Sequence, residues 1–220
     1  TSGKHLLNLI NEVLDLSRIE SGTLDLNMEP ISIEEVLQEA LELVSPIAQS
    51  KSIQIEKNNY QETNLFVHSD SKKLRQILIN ILNNAIKYNH INGWVKLSCQ
   101  IVQNAEYHNS ILRLCVEDNG IGIAHENLDK IFSPFERIDS EKYLVEGTGL
   151  GLAVVKRLII AIGGEVWVES QLGEGSKFYV ELPLINPQSE ISNKIKEVSE
   201  VEIVNLNQTN SILYIEDNLS

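Results

Sequence analysis

The chain has 220 residues, enough for one sizeable core with tails or for two small domains. Its formal net charge of -13 leaves no basic footprint for nucleic acid. Apolar residues make up 42% and charged residues 22%, an ordinary globular balance, and no apolar run is long enough to span a bilayer.

Residues 3–20 read as an amphipathic helix, with Leu6, Ile10, Val13 and Leu14 at helical spacing and Leu7 and Leu9 widening the stripe. Nothing nearby covers that stripe, so the helix is expected to pair with an absent helix or a second copy of the chain. Gly22 breaks it, and the chain runs extended towards Pro30. Ser32 and Glu35 fit a capping box ahead of a helix with Ile33, Val36, Leu37, Ala40, Leu41, Val44, Ile47 and Ala48 on one face. Pro46 is expected to kink this helix or disturb its last turns. "SIQIEK" and "NLFVHS" read as short strands. Asp70 opens the strongest helix, residues 70–88, with Leu74, Ile77, Leu78, Ile81, Leu82 and Ala85 apolar.

Residues 94–102 and 110–117 read as two strands joined by a polar turn. A short helix is expected near 125–131, followed by an irregular stretch. "GTGLGLAVVKRLIIAIGG" is a glycine entry into an apolar helix closed by Gly163 and Gly164. "EVWVES" and "SKFYVELPL" form the last hairpin, across "QLGEG". Residues 186–210 have the polarity of a linker. Residues 211–220 begin a new strand, "SILYI", ending in Glu216 and Asp217. Cys99 and Cys115 lie in strand-like runs and read as small core side chains, which fits a reducing compartment.

Four stretches carry chemistry. On the strong helix, Asn80, Asn84 and Lys87 share one side, with Asn83 beside them. Opposite an apolar face, that grouping reads as a polar site: an amide carbonyl suits Mg²⁺ and a Lys suits phosphate oxygens. "VEDNGIGIA" places Asp118 before Gly120 and Gly122, glycines that admit a close backbone approach. The spacing is not the dinucleotide fingerprint, and alone the stretch reads equally as a plain turn. Gly147, Gly149 and Gly151 in "GTGLGL" precede a helix whose free amides favour an anion. Phe132 and Phe135 in "IFSPFERI" read as core residues ahead of a polar run, 139–147, whose glycine end suits a mobile lid.

Together and in this order, these stretches resemble the ATP-binding catalytic domain of sensor histidine kinases, within the gyrase, heat-shock chaperone, histidine kinase and mismatch-repair ATPase superfamily. "LRQILINILNNAIKYN" resembles the N box, "VEDNGIGI" the first glycine box, "IFSPFERI" the F box and "GTGLGLAVVK" the second glycine box. The resemblance covers about residues 1–185. It implies an α/β two-layer sandwich of a mixed sheet with helices on one face, the Bergerat-type ATP-binding fold, over residues 23–185. It implies ATP and Mg²⁺ as cofactors. Asn84 would hold Mg²⁺, Asn80 would lie near the phosphates, and Lys87 and Tyr88 would border the nucleotide. Asp118 would accept a hydrogen bond from the adenine amino group, with Gly120 and Gly122 packing base and sugar. Phe132, Gly147, Thr148, Gly149, Leu150 and Gly151 would complete the lid and phosphate end.

Residues 1–22 resemble the second helix of a dimerisation and phosphotransfer domain, preceding the catalytic domain. His5, His68, His90, His108 and His125 all lack the context of a phosphoacceptor, so the acceptor is expected outside this chain. "ILYIEDN" resembles the opening of a receiver domain, which implies a hybrid kinase cut at both ends. The implied partners are the missing phosphoacceptor helix or a second protomer, and a response-regulator receiver, with no nucleic acid or membrane contact. The expected localisation is cytoplasmic, with any membrane anchor supplied by preceding sequence. Three rivals stand beside kinase activity: an ATP-hydrolysing relative, a nucleotide-sensing docking module and a DNA-binding regulator. Asn80 counts against the first, because an amide cannot serve as a general base. The acidic balance counts against the last.

Overall fold

The computed structural model describes residues 2–58, 64–103, 110–136 and 148–185. The elements run α1 (Ser2–Glu20), β1 (Glu29–Ser32), α2 (Ile33–Ser50), β2 (Gln54–Asn58), β3 (Phe66–Ser69), α3 (Ser71–Lys87), β4 (Trp94–Gln103) and β5 (Ser110–Asp118). After a single turn of 3-10 helix at His125–Asn127 come α4 (Gly151–Ala161), β6 (Glu165–Gln171) and β7 (Gly175–Ile185). All seven strands join one mixed sheet. β2 and β4 are parallel and every other pair is antiparallel. The long β7 organises it: β5 occupies one edge, while β6 and then β3 share the other.

Alternation along the central strands assigns the faces. Val95, Leu97, Cys99, Leu112, Leu114, Val116, Phe178, Val180 and Leu182 are buried. They share one core with Val36, Leu37, Ala40 and Val44 of α2, the apolar face of α3, and Val154, Val155, Leu158 and Ile159 of α4. The other face carries Arg113 paired with Glu181, Lys177 paired with Glu117, and Trp167 stacked on Tyr179 with ring centroids 4.9 Å apart. This is the sandwich implied by the resemblance, with helices on one face.

Helix ends follow local chemistry. Asp70 caps α3, its Oδ1 accepting the Lys73 N–H at 3.0 Å, and its Oδ2 accepts the Asn27 N–H at 2.9 Å. One carboxylate therefore starts α3 and ties down the segment entering β1. Both α1 and α4 close in Schellman motifs, with Gly22 (φ 67) and Gly163 (φ 78) left-handed and the crossed bonds Thr23 N–H to Arg18 O and Gly164 N–H to Ile159 O.

Several expectations change. The Ser32–Glu35 capping box does not form: Ser32 is the last residue of β1, paired with Phe66, and its side chain makes no capping bond. α2 continues through Pro46 to Ser50. Ile47, placed on its inner face, is 46% exposed. Cys115 lies on the outer sheet face opposite Ser98 and is only half-buried, because β5 alternates and its buried set is the even-numbered one. The expected helix at 125–131 shrinks to the 3-10 turn followed by hydrogen-bonded turns. Phe135 is 67% exposed. The α1 stripe stays largely uncovered at Leu7, Ile10, Val13 and Leu14, yet Leu16 is buried in the core and Ile19 packs against it. Asp15 pairs with Lys73 at 3.2 Å and accepts from Gln76, while Glu20 pairs with Arg157. The C-terminal half of α1 is thus docked on α3 and α4. The linker and receiver-like segments expected at 186–210 and 211–220, and residues 139–147, lie outside the described residues.

Replacing Asp70 by Ala removes a cap and a tertiary acceptor together. It should lower unfolding stability by about 1–3 kcal/mol. Asn at this position, which keeps the cap acceptor, should recover part of that loss in thermal melts.

Candidate functional site

Burial of Leu74, Ile77, Leu78, Ile81, Leu82, Ala85 and Ile86 leaves one polar stripe on α3. Lys73, Gln76, Asn80, Asn84 and Lys87 recur along it at spacings of three and four. Its first two residues hold Asp15 of α1. Asn80 Nδ2 then lies 3.5 Å from the Gly151 carbonyl, at the start of α4. Asn84 is a half-buried side chain one turn further on, and the Lys87 ammonium sits 5.0 Å from the centre of the Tyr88 ring. Lys51 donates from Nζ to the carbonyls of Ile86 (3.2 Å) and Lys87 (2.8 Å), satisfying the open C-terminal end of the helix. The neighbouring Asn83 is half-buried, and its Oδ1 is buried without a hydrogen-bond partner.

The first glycine turn leaves β5 at Asp118 and is held on both sides. Ile121 donates its N–H to the Tyr88 carbonyl at 3.1 Å and accepts from the Gly173 N–H at 2.7 Å. Asn119 Oδ1 accepts the Trp94 N–H at 2.6 Å, and Asn89 donates to the Trp94 carbonyl at 3.0 Å. The turn therefore bridges the end of α3 and the β6–β7 hairpin. Asp118 is only 6% exposed. Burial pushes its carboxyl up to about 6, against the lowering effect of the Gly120 and Ser176 N–H groups that donate to it; nearby Glu117 adds to the rise. The Gly120 N–H is 2.8 Å from Oδ1.

The glycines here make room for the chain's own backbone. A Cβ on Gly120 would press on the Tyr88 carbonyl and on Asp118 Oδ1, and one on Gly122 on the Gln171 carbonyl, all under 3.0 Å. Gly122 also has φ 66, unfavourable for any L side chain. The room that a side chain would need at these two positions is taken up by Tyr88, by Asp118 and by the hairpin.

At the other end, Gly149 (φ 73) accepts the Phe135 N–H on its carbonyl at 3.0 Å, and Thr148 Oγ1 accepts the Leu150 N–H at 3.2 Å. Leu150 is fully buried and, as the residue that precedes α4, makes no capping bond with its own side chain. Among the described residues, a Cβ on Gly151 would make ordinary contact with the Asn80 side chain, at 3.9 Å, so the helix start lies beside α3. A glycine-rich helix start beside an amide side chain fits an anion. Phe132 packs against the core with the Lys156 ammonium 5.4 Å from its ring centre. Gly147 lies outside the described residues.

Thus Asn80 meets Gly151, and Tyr88 meets the Asp118 turn, so three stretches far apart in sequence share one wall. Lys51, Asn89, Ser170 and Ser176 escaped the sequence reading. No spacing rule marks a Lys that caps a different helix or a Ser that bonds across a hairpin.

Residues 69–186, more than half of the chain, match the histidine kinase-, DNA gyrase B-, and HSP90-like ATPase family, and the chain belongs to that family. It is 38% identical over 184 residues to the sensor protein GacS of Pseudomonas syringae pv. syringae, covering 83% of this chain and 20% of that protein. It is 32% identical over 222 residues to the autoinducer 2 sensor kinase/phosphatase LuxQ of Vibrio parahaemolyticus serotype O3:K6, covering 99% of this chain and 25% of that one. Among solved structures, full-length ShkA in complex with AMPPNP is similar with a TM-score of 0.71 and 36% identity, over 84% of this chain and 37% of that chain. The chain spans about a fifth to a quarter of the length of these curated relatives.

Two outcomes follow. Gly122→Ala forces a strained φ and a backbone collision, so it should cost about 3 kcal/mol or more and show as a large drop in melting temperature. The raised carboxyl of Asp118 favours folding fully below its unfolded value of 3.8, and that contribution is lost as pH rises through about 6. Asp118→Asn should therefore gain stability relative to wild type between pH 4 and pH 6, by about 1–3 kcal/mol, and hold a constant difference above that range. Denaturant melts across pH check the sign.

Proposed function

We propose that this chain binds Mg-ATP and transfers the γ-phosphoryl group to a histidine of a dimerisation and phosphotransfer domain, in two-component signalling with a response-regulator receiver as the later partner. One observation carries the reading. The polar stripe of α3 reaches the Asp118 turn at one end, through Tyr88, and the glycine-rich start of α4 at the other, through Asn80. That is a single wall with an acidic acceptor at one end and a helix start suited to an anion at the other. Asp118 reads the adenine amino group; the negative charge sits away from the triphosphate.

The residues present suit Mg²⁺. Among the described residues no group of three or more His, Cys, Asp or Glu side chains could hold a metal. A hard cation would rest on the amide oxygen of Asn84, on phosphate oxygens and on water. Bound there, it supplies charge neutralisation on the transferring phosphoryl group, and phosphoryl transfer needs that and positioning above all. Lys87 adds a point charge. Asn80, bonded to Gly151, holds the α4 amides in line with the phosphates, and as an amide it activates no water, which favours transfer over hydrolysis. The imidazole nucleophile comes from outside these 220 residues, since none of the five histidines sits in a phosphoacceptor context.

Calorimetric titration with a non-hydrolysable ATP analogue and Mg²⁺ tests the site. Asp118→Ala should weaken binding by ten- to a hundredfold, the value of a hydrogen bond to a charged group, and Asn84→Ala by about tenfold. Unchanged affinity in both variants would remove the site assignment. The chain alone should acquire no phosphohistidine from ATP, yet should phosphorylate an added phosphotransfer domain bearing its His. Stoichiometric self-phosphorylation would contradict this, and tight ATP binding without transfer would point to a docking module.

A further inference from the structure

The Ser170 hydroxyl sits where the first glycine turn and the β6–β7 hairpin meet. Ser170 lies next to the end of β6, directly opposite Ser176 in register, and is half-buried. Its Oγ is 2.8 Å from the Ile123 N–H, 2.6 Å from the Gly175 carbonyl and 3.0 Å from Ser176 Oγ. A hydroxyl has one proton to give and two lone pairs. The Gly175 carbonyl can only accept, so it takes the Ser170 proton. The Ile123 N–H can only donate, so it takes one lone pair. Ser176 must then donate to the other. All hydrogen-bonding capacity of Ser170 is spent, and the direction of every bond is fixed.

Each of the three partners belongs to a segment that touches Asp118. Ile123 closes the turn that Asp118 opens. Gly175 (φ 104) packs so tightly that a Cβ there would collide with the Asp118 carbonyl. The Ser176 backbone N–H donates to the Asp118 carboxylate, and its register partner across β5 and β7 is Asp118 itself. No other group joins the far end of the glycine turn to the hairpin strand that carries the Ser176 donor, among the bonds described for these residues.

We infer that Ser170 is a positioning residue for nucleobase selection: its hydroxyl locks the first glycine turn to β7 and so holds the Asp118 carboxylate at the angle that reads the amino group of adenine. The inference rests on the ATP-site reading above and adds to it a side chain that touches no ligand. Removing the hydroxyl frees the Ile123 N–H and the Gly175 carbonyl together; the Gly173–Ile121 bond still holds the middle of the turn, and its Ile123 end can then shift against β7. The phosphate end, built by α3 and α4, is untouched by this change. Selectivity should therefore fall more than affinity.

The test compares ADP with inosine diphosphate, which carries an oxygen where adenine has its amino group. Calorimetry with Mg²⁺ is run on the whole chain as wild type, Ser170→Ala, Ser170→Cys and Ser170→Thr. Wild type should prefer ADP. Ser170→Ala should lower the ADP-to-IDP affinity ratio by about tenfold, through ADP, with IDP binding changed less than twofold. Ser170→Thr keeps the hydroxyl on a strand that favours β-branched residues and should keep the ratio. Ser170→Cys, a weak donor of similar shape, should fall between and serves if the Ala variant does not fold. An unchanged ratio in a folded Ala or Cys variant, or equal losses for both nucleotides, overturns the inference and leaves the ATP site standing. A wild-type ratio near one overturns the adenine reading of Asp118 itself, and the inference with it.

Discussion

The structure depends on a close backbone junction at which no side chain fits. Gly120 lies against the Tyr88 carbonyl, Gly122 against the Gln171 carbonyl and Gly175 against the Asp118 carbonyl. Each contact leaves no space for a Cβ, so three segments far apart in sequence are set at one separation. The end of α3, the first glycine turn and the β6–β7 hairpin become a single rigid corner. Ile121 fastens it from both sides, through the Tyr88 carbonyl and the Gly173 N–H. Interiors packed to this density resist small displacements, so residues mounted on the corner keep their geometry.

Asp118 is mounted there, and its electrostatics follow. A carboxylate in so buried a position is costly unless hydrogen-bond donors compensate, and here two backbone N–H groups do so only in part. The remaining cost appears as the raised carboxyl and creates a demand for one more donor. In the proposed site an adenine amino group would answer that demand, and a phosphate would not. The proposed phosphate end lies along the same α3 stripe, where Asn80 meets the α4 start. In the proposed site, separating the acid from the phosphate end along a helix face would let one site hold a neutral base and a highly charged tail.

Sequence patterning carried most of the fold. Asp70 marked the start of α3, alternation marked β4, β5 and β7, and Gly163 marked the end of α4, because each signal is local. Reading failed where tertiary contacts decide. Ser32 looks like a helix cap, but strand pairing with Phe66 claims its backbone and the cap bond is not made. Cys115 sits in an apolar run, yet the register of β5 turns it to the outer face. Ile47 follows helical spacing beyond the edge of the surface that α2 covers. In the site, the glycines were legible as positions of close approach. That a side chain there would meet the Tyr88 and Gln171 carbonyls is something no spacing within one segment reveals. Lys51 and Ser170 were invisible for the same reason, since their partners lie 35 to 36 residues away for Lys51 and, for Ser170, include a residue 47 away across the sheet.

The proposed site has a polarity, with the base at the Asp118 corner and the phosphates at the α4 start. Backbone amide shifts measured by nuclear magnetic resonance during stepwise titration test it most directly, first with adenosine and then with a Mg²⁺-bound non-hydrolysable ATP analogue. Adenosine should move Gly120, Ile121 and Ser176 and leave Gly149, Leu150 and Gly151 in place, and only the triphosphate should then move the second group. Adenosine shifts centred on Gly149–Gly151, or triphosphate shifts confined to the Asp118 turn, would contradict it.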